Sequence, residues 1–428
     1  MNCNWSVKKL GDLVKFTSGG TPSKSNEAYW GGDIPWISAS SMDSTRYSES
    51  DLKVTTEGSK NGTRLVPKDT VLLLVRGGAL HNKIPVGITT REVTFNQDVK
   101  ALVPKTDEIT PWYLLFWLIS IKKTLLAKVE NTGIGAGKLD TKILQELEVP
   151  LPPKPELKRL EKFCKALDDK IILNTDTNQT LEEMAQAIFK SWFVDFDPVK
   201  AKMNGEQPEG MDSATASLFP EKLVESELGL IPEGWDASSM GEHFNITMGQ
   251  SPKGETYNED GEGIAFFQGR RDFGFRYPDV RVYTTDPKRY AKAGDTLISV
   301  RAPVGDKNMA AIDCCIGRGV AAIKHRSQSR SFTYAFVSHI EKKLGDSGSS
   351  GTVFSSINQN ELKKVSFVAP PQELIEAFHK FVDPIDQKIE VLSGEIKSLS
   401  AMRDTLLPKL LSGEIELEKV NLASGDLL

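Results

Sequence analysis

Six residues, Gly133-Ile134-Gly135-Ala136-Gly137-Lys138, come closest in this 428-residue chain to a phosphate-binding loop. Such a loop wraps backbone amides around phosphate oxygens, and it needs a glycine five positions before the Gly-Lys pair and a hydroxyl after the lysine. Here Thr132 stands where the first glycine is required and Leu139 where the hydroxyl is required. The corresponding segment later in the chain, 348–352 (Gly-Ser-Ser-Gly-Thr), has no lysine. The expectation is a turn leading into a helix at Leu139. The five histidines (His81, His243, His325, His339, His379) never fall four apart, so no helix carries a zinc pair. Neither a G-x-S-x-G nucleophile elbow nor an Asn/Asp-Pro-Pro-aromatic tetrapeptide is present. These absences point to a chain without catalysis or a cofactor of its own.

The residues that do suit a ligand suit nucleic acid. Gln268-Gly-Arg-Arg-Asp-Phe-Gly-Phe-Arg276 mixes Gln268, Arg270 and Arg271 with aromatics, and Arg301, Lys307 and Arg318 follow in later loops. Arg and Gln read guanine and adenine edges with two hydrogen bonds, while other cations hold phosphates. The earlier half offers Arg76-Gly-Gly-Ala-Leu-His81-Asn82-Lys83, then Asn96-Gln97, and Ser38. The net charge of −5 is not that of a basic DNA-binding protein, but it is uneven. Residues 264–330 hold 13 Lys/Arg against 6 Asp/Glu, and 201–232 hold 2 against 6. A locally basic domain in an acidic chain can still bind phosphates.

Two copies of one unit must position these residues. Trp5, Gly11, Thr17, Gly19 and Pro22 recur 230 residues on as Trp235, Gly241, Thr247, Gly249 and Pro252, with Thr21 answered by Ser251. Ile34-Pro-Trp-Ile falls on Ile264-Ala-Phe-Phe, and DTVLLLVR (69–76) resembles DTLISVR (295–301). A second block recurs 218 residues on: Pro152-Pro153, Phe163, Asp168, Lys170 and Ile171 become Pro370-Pro371, Phe381, Asp386, Lys388 and Ile389. Such self-similarity is the mark of duplication. The expected order is a domain at 1–152, a helix at 153–197, a connection at 198–232, a domain at 233–371, a helix at 372–415 and a tail at 416–428. Both domains read as α+β, with strands at 71–75 and 296–300 and helices at 110–127 and 331–344. The apolar run 112–121 is too short to span a membrane, for which ~20 residues are needed, and reads as a buried helix.

Each helical block carries a ladder with steps of three and four, the seam of a coiled coil. The first runs Leu157, Leu160, Cys164, Leu167, Ile171, Asn174, Asn178, Leu181, Ala185, Ile188, Trp192. The second runs from Ile375 to Leu410, with Arg403 the one polar rung. Pro384 is expected to interrupt the second helix, Asp383 capping a fresh start. The 26-residue seam from Ile385 to Leu410 is then ~38 Å long, about 11 base pairs of DNA. Cys3, Cys164, Cys314 and Cys315 form no C-x-x-C pair, and with no signal-like apolar start at 1–10 the expectation is reduced thiols in a cytoplasm.

TSGGTPSKS (17–25), IFKSWFVDFDPVKAK (188–202), SELGLIPEGW (226–235) and LLPKLLSGEI (406–415) together resemble the specificity subunit of type I restriction-modification systems. The resemblance runs over nearly the whole chain. It implies two target recognition domains, each reading half of an asymmetric, bipartite site in double-stranded DNA, separated by two long antiparallel helices in a pseudo-twofold repeat. It implies no active site in this chain. The partners implied are two adenine-N6 methyltransferase subunits, which bind S-adenosylmethionine, and two translocase-nuclease subunits, which use ATP and Mg; no membrane is involved. Two other readings stay open from the residues alone: a coiled-coil interaction scaffold without DNA reading, and a methyltransferase-associated enzyme.

Overall fold

The computed structural model describes residues 5–132, 135–301, 303–346 and 356–417. Gly133 and Ile134, the 348–352 segment, Cys3 and most of the 416–428 tail lie outside the described residues. The chain divides into two compact units, Met1–Leu173 with Ile396–Leu428, and Asn174–Glu395. The long helices, expected as elements of their own, are each divided between the units.

Beside a three-stranded sheet that orders Glu130–Thr132, Ala136–Lys138 and Arg76–Gly77 and the two-stranded pair described below, the first unit is built on two main sheets. One orders Val14–Ser18, Val99–Pro104, Val71–Leu74, Val86–Thr89 and Arg46–Tyr47; the other orders Lys53–Val54, Trp30–Ile37, Val93–Phe95 and Leu65–Val66. Val71–Leu74 is buried at every position, as an apolar run without alternation requires when both faces are covered. One covering element is the helix Pro111–Ser120, which packs on this strand and on Val86–Thr89. It starts where Thr110 Oγ1 accepts the Tyr113 amide at 3.0 Å, with Pro111 in its first turn. Residues 113–119 are all buried, so the apolar run is a core helix.

The second unit repeats this plan. Phe244–Met248, Val320–His325, Thr296–Ser299 and Lys307–Met309 form one sheet; Tyr257–Asn258, Tyr283–Thr284, Ile264–Phe267, Cys314–Ile316 and Tyr290–Ala291 form the other. The helix Arg330–Asp346 covers it. In each repeated copy an antiparallel pair joins the first strand to the last, Ser6–Lys9 with Glu148–Leu151 and Asp236–Ser239 with Ser366–Ala369. That pairing brings both ends of a copy together just before the prolines that precede its long helix. The connection 198–232 is packed, through buried Val199, Phe219 and Ile231.

The long helices are Lys154–Phe193 and Gln372–Leu411, 40 residues each, or ~60 Å at 1.5 Å per residue. The expected break at Pro384 does not occur. A proline inside a helix forfeits one backbone hydrogen bond and costs ~3 kcal/mol. Pro384 is exposed, and Phe378, Val382, Ile389 and Leu392 are buried on either side of it, which outweighs that cost at ~1.5–3 kcal/mol per buried side chain. In the second unit the helices run antiparallel: Asn178 Nδ2 donates to Ser393 Oγ at 3.2 Å, and the Phe189 and Phe378 rings lie 5.8 Å apart. In the first, Leu167, Ile171 and Leu399 close together over Ile396. The ladder shifts near its end. Ile188 is half-buried and Phe189 takes the core position, because there the helix also meets Phe332 of the domain.

Candidate nucleic-acid interface

In each unit two parallel strands end side by side, and the residues just past them face a loop whose close approach a glycine permits. In the first unit Ile37 is registered on Phe95, and the Asn96 amide donates to Ile37 O at 3.0 Å. Ser38 and Gln97 therefore emerge together, with Asn96 buried beside them. Loop 17–22 closes over them. Gly20 N donates to Phe95 O (2.9 Å), Trp36 Nε1 to Gly20 O (3.0 Å) and Thr21 Oγ1 to Gln97 Oε1 (2.7 Å). Gly19 admits this approach: a Cβ there would sit 2.1 Å from Phe95 O.

The neighbouring strand delivers Arg76. Val75 N donates to Asp98 O at 2.8 Å, and Leu139 N to Val75 O at 2.9 Å. Arg76 then lies directly opposite Lys138 in an antiparallel pair. Arg76, Gln97, Asp98, Lys100, Lys138 and Asp140 line a cleft of about 250 Å³. Like charges directly opposed on a ladder destabilise it. Lys138 is partly compensated by Asp140 at 3.0 Å, while no carboxylate among the described residues pairs with Arg76. The Lys142 amide, and then Lys138, hold the Asp140 carboxyl below its ordinary range. Asp140 also caps the short helix Thr141–Gln145, which begins two residues after the expected start at Leu139.

The second unit builds the same arrangement with other side chains. Phe267 is registered on Ile316, and Gly317 N donates to Phe267 O at 2.8 Å. Gln268 and Arg318 emerge where Ser38 and Gln97 do in the first unit. The loop at 247–252 approaches through Gly249, whose added Cβ would lie 2.1 Å from Gly317 O, and Ser251 Oγ accepts the Arg318 amide at 3.2 Å. Val300 N donates to Gly319 O at 3.0 Å, which sets Arg301 in the place of Arg76.

The remaining predicted residues fall into two groups. His81, Asn82 and Lys83 are exposed at the end of the turn Gly78–His81, with His81 Nε2 2.9 Å from Gly135 O. Arg271 is exposed and Arg270, also exposed, pairs with Asp306. Others are committed internally. Asn96 is buried, and its Oδ1 accepts the Asp98 amide at 3.1 Å. Ser38 shares a capping box with Ser41. Lys307 binds Glu341 at 2.6 Å with its side chain 18% exposed. Arg276, read with the arginine-rich segment, is 2% exposed and points into the protein.

Sequence reasoning missed Lys100 and Lys138. Lys138 was visible only as part of a failed nucleotide motif, and Lys100 gave no signal. No group of three or more His, Cys, Asp or Glu among the described residues is placed to hold a metal, and no described helix is long and apolar enough to cross a membrane. Burial pushes the Cys164 and Cys314 thiols up to about 12.

A family model described as "Type I restriction modification DNA specificity domain" matches residues 2–183 and 232–401, one stretch in each copy. A Methanocaldococcus jannaschii chain, provisionally assigned as the MjaX specificity subunit of a type I restriction enzyme, is 29% identical over 427 residues, 97% of this chain and 94% of that one. The HindI type I specificity subunit of Haemophilus influenzae is 29% identical over 370 residues, 73% of this chain and 79% of that one. The crystal structure of a type I restriction-modification S subunit from M. genitalium shares the fold, with a TM-score of 0.54 at 16% identity and 96% of each chain covered.

Proposed function

Because the chain belongs to the family of type I restriction-modification DNA specificity domains, we propose that each unit reads one half of a bipartite site in double-stranded DNA. The observation that carries this reading is the repeated strand-end cluster: Ser38, Gln97 and Arg76 in one unit, Gln268, Arg318 and Arg301 in the other. Glutamine and arginine at exposed strand ends suit adenine and guanine edges in the major groove. Arg76, Lys100 and Lys138 suit a phosphate, which would relieve their mutual repulsion. The clusters share an arginine at Arg76 and Arg301 but differ at the two other equivalent places, Ser38 against Gln268 and Gln97 against Arg318, so the two half-sites differ in sequence and the site is asymmetric.

In this reading the chain is the non-catalytic specificity subunit and works in the cytoplasm. It docks two adenine-N6 methyltransferase subunits, which carry S-adenosylmethionine, and two restriction subunits, which use ATP and Mg. Co-expression with the cognate methyltransferase, followed by mapping of N6-methyladenine, tests it. We expect a split motif with two unlike halves and a constant gap, and no methyl transfer by the purified chain alone. A contiguous motif, or methylation by the chain by itself, overturns the reading.

The cleft makes a separate prediction. Arg76→Ala with Lys138→Ala should flatten the slope of log affinity against log salt by about 2, roughly 0.9 for each cation removed. The recognised sequence should stay the same. An unchanged slope places the cleft away from the DNA.

A further inference from the structure

In each unit an arginine of the reading domain pairs with carboxylates on a long helix, and in the second unit Arg330 adds pairs with Asp383 at 2.9 Å and Glu390 at 3.3 Å. Arg276 reaches Glu182 on the first long helix and Asp386 on the second, and its guanidinium carbon lies 3.7 Å above the Tyr334 ring. Arg276 and Asp386 are both about 2% exposed. In the other unit Arg46 holds Asp168 at 2.9 Å and also pairs with Asp169, while Thr45 Oγ1 donates to Asp168 at 2.9 Å. Arg46 lies 5.3 Å from the Trp112 ring. Arg46 and Arg276 are 230 residues apart, the offset of the first repeat block, and Asp168 and Asp386 are 218 apart, the offset of the second. The pairing of an arginine with the equivalent aspartate thus recurs in both copies, although Arg276 reaches both long helices and Arg46 only the first.

Buried ion pairs are poor sources of net stability, because desolvation offsets the attraction and apolar replacements serve as well. An arginine fork is, however, directional: it donates to carboxylates only in its own plane and at two points. We propose that Arg46 and Arg276 are positioning residues, which set the angle of each reading domain on its helices and so the gap tolerated between half-sites. This rests on the reading of the two units as half-site readers.

The test uses the full chain in complex with its methyltransferase, carrying Arg46→Lys or Arg276→Lys. Lysine keeps the charge and loses the fork. Methylation is measured on sites with the native gap and with gaps one or two base pairs shorter or longer, and on libraries randomised in each half. We expect the preference for the native gap to fall about tenfold, the effect of one lost charge-assisted hydrogen bond, with base preferences unchanged. A uniform loss of rate with the gap preference intact reduces the arginines to ordinary fold contacts and overturns the proposal. Altered base preference overturns it too, by placing them at the DNA. If Arg276→Lys fails to fold, Arg46→Lys decides, since that side chain is 23% exposed. The wild-type complex separates the two ideas: no split motif sinks the half-site reading, whereas a split motif with unaltered gap preference in the variants sinks the clamp alone.

Discussion

Arg318→Ala is expected to slow methylation at the cognate site by roughly one to two orders of magnitude and to relax a single position in one half-site. Arg318 is exposed at the end of Cys314–Ile316, beside Gln268, and its amide and Nε both face Ser251 Oγ, at 3.2 and 3.4 Å. Those contacts orient the side chain and leave its terminal nitrogens for a partner. A bidentate arginine on guanine contributes ~1–3 kcal/mol of discrimination, about 5- to 150-fold at ~1.4 kcal/mol per decade. The other half-site lies with the other unit and should keep its sequence. Arg318→Lys should recover the salt dependence but not the base preference, because a point charge holds phosphate and lacks the fork. Methylome mapping of both variants decides the matter. A motif unchanged in sequence, with affinity lowered alike for all DNA, makes Arg318 a phosphate contact.

Lengthening both long helices by four residues, after Asn178 and after Leu392, is expected to move the preferred gap by one or two base pairs. The insertion points face each other, since Asn178 donates to Ser393, so matched insertions preserve that pairing. Four residues add ~6 Å of helix and slightly more than one turn, so the apolar seam keeps its face as a stutter does. Six ångströms is about two base pairs at ~3.4 Å. At the native gap the lengthened chain should lose about 100-fold or more, because a displaced half-site forfeits at least two base pairs at ~1–3 kcal/mol each. Inserting into the first helix alone breaks the Asn178–Ser393 register and should lower activity at every gap. If the half-site sequences change while the gap stays, the helices support the reading loops and do not measure distance.

Much of this architecture was legible in the residues. Trp5/Trp235, Gly19/Gly249 and Pro152/Pro370 announced two copies, because a backbone approach that only glycine permits is required wherever the same loop recurs. The run 112–121 announced a core helix, and the three-four ladders announced the long helices, since periodicity is a local property of sequence. Local rules failed where distant contacts outweighed them. Pro384 breaks helices by a local cost, but the burial of Phe378, Val382, Ile389 and Leu392 on both sides of it is larger. Arg276 has the composition of a DNA contact, yet charge says nothing about direction, and the fold turns it onto Glu182 and Asp386. The cleft joins Arg76, Gln97 and Lys138, which no spacing rule connects. Strand pairing sets them face to face, through hydrogen bonds between segments tens of residues apart. The residue types were therefore determined by the sequence, while which of them share a surface was decided by the pairing of strands and the burial of helix faces.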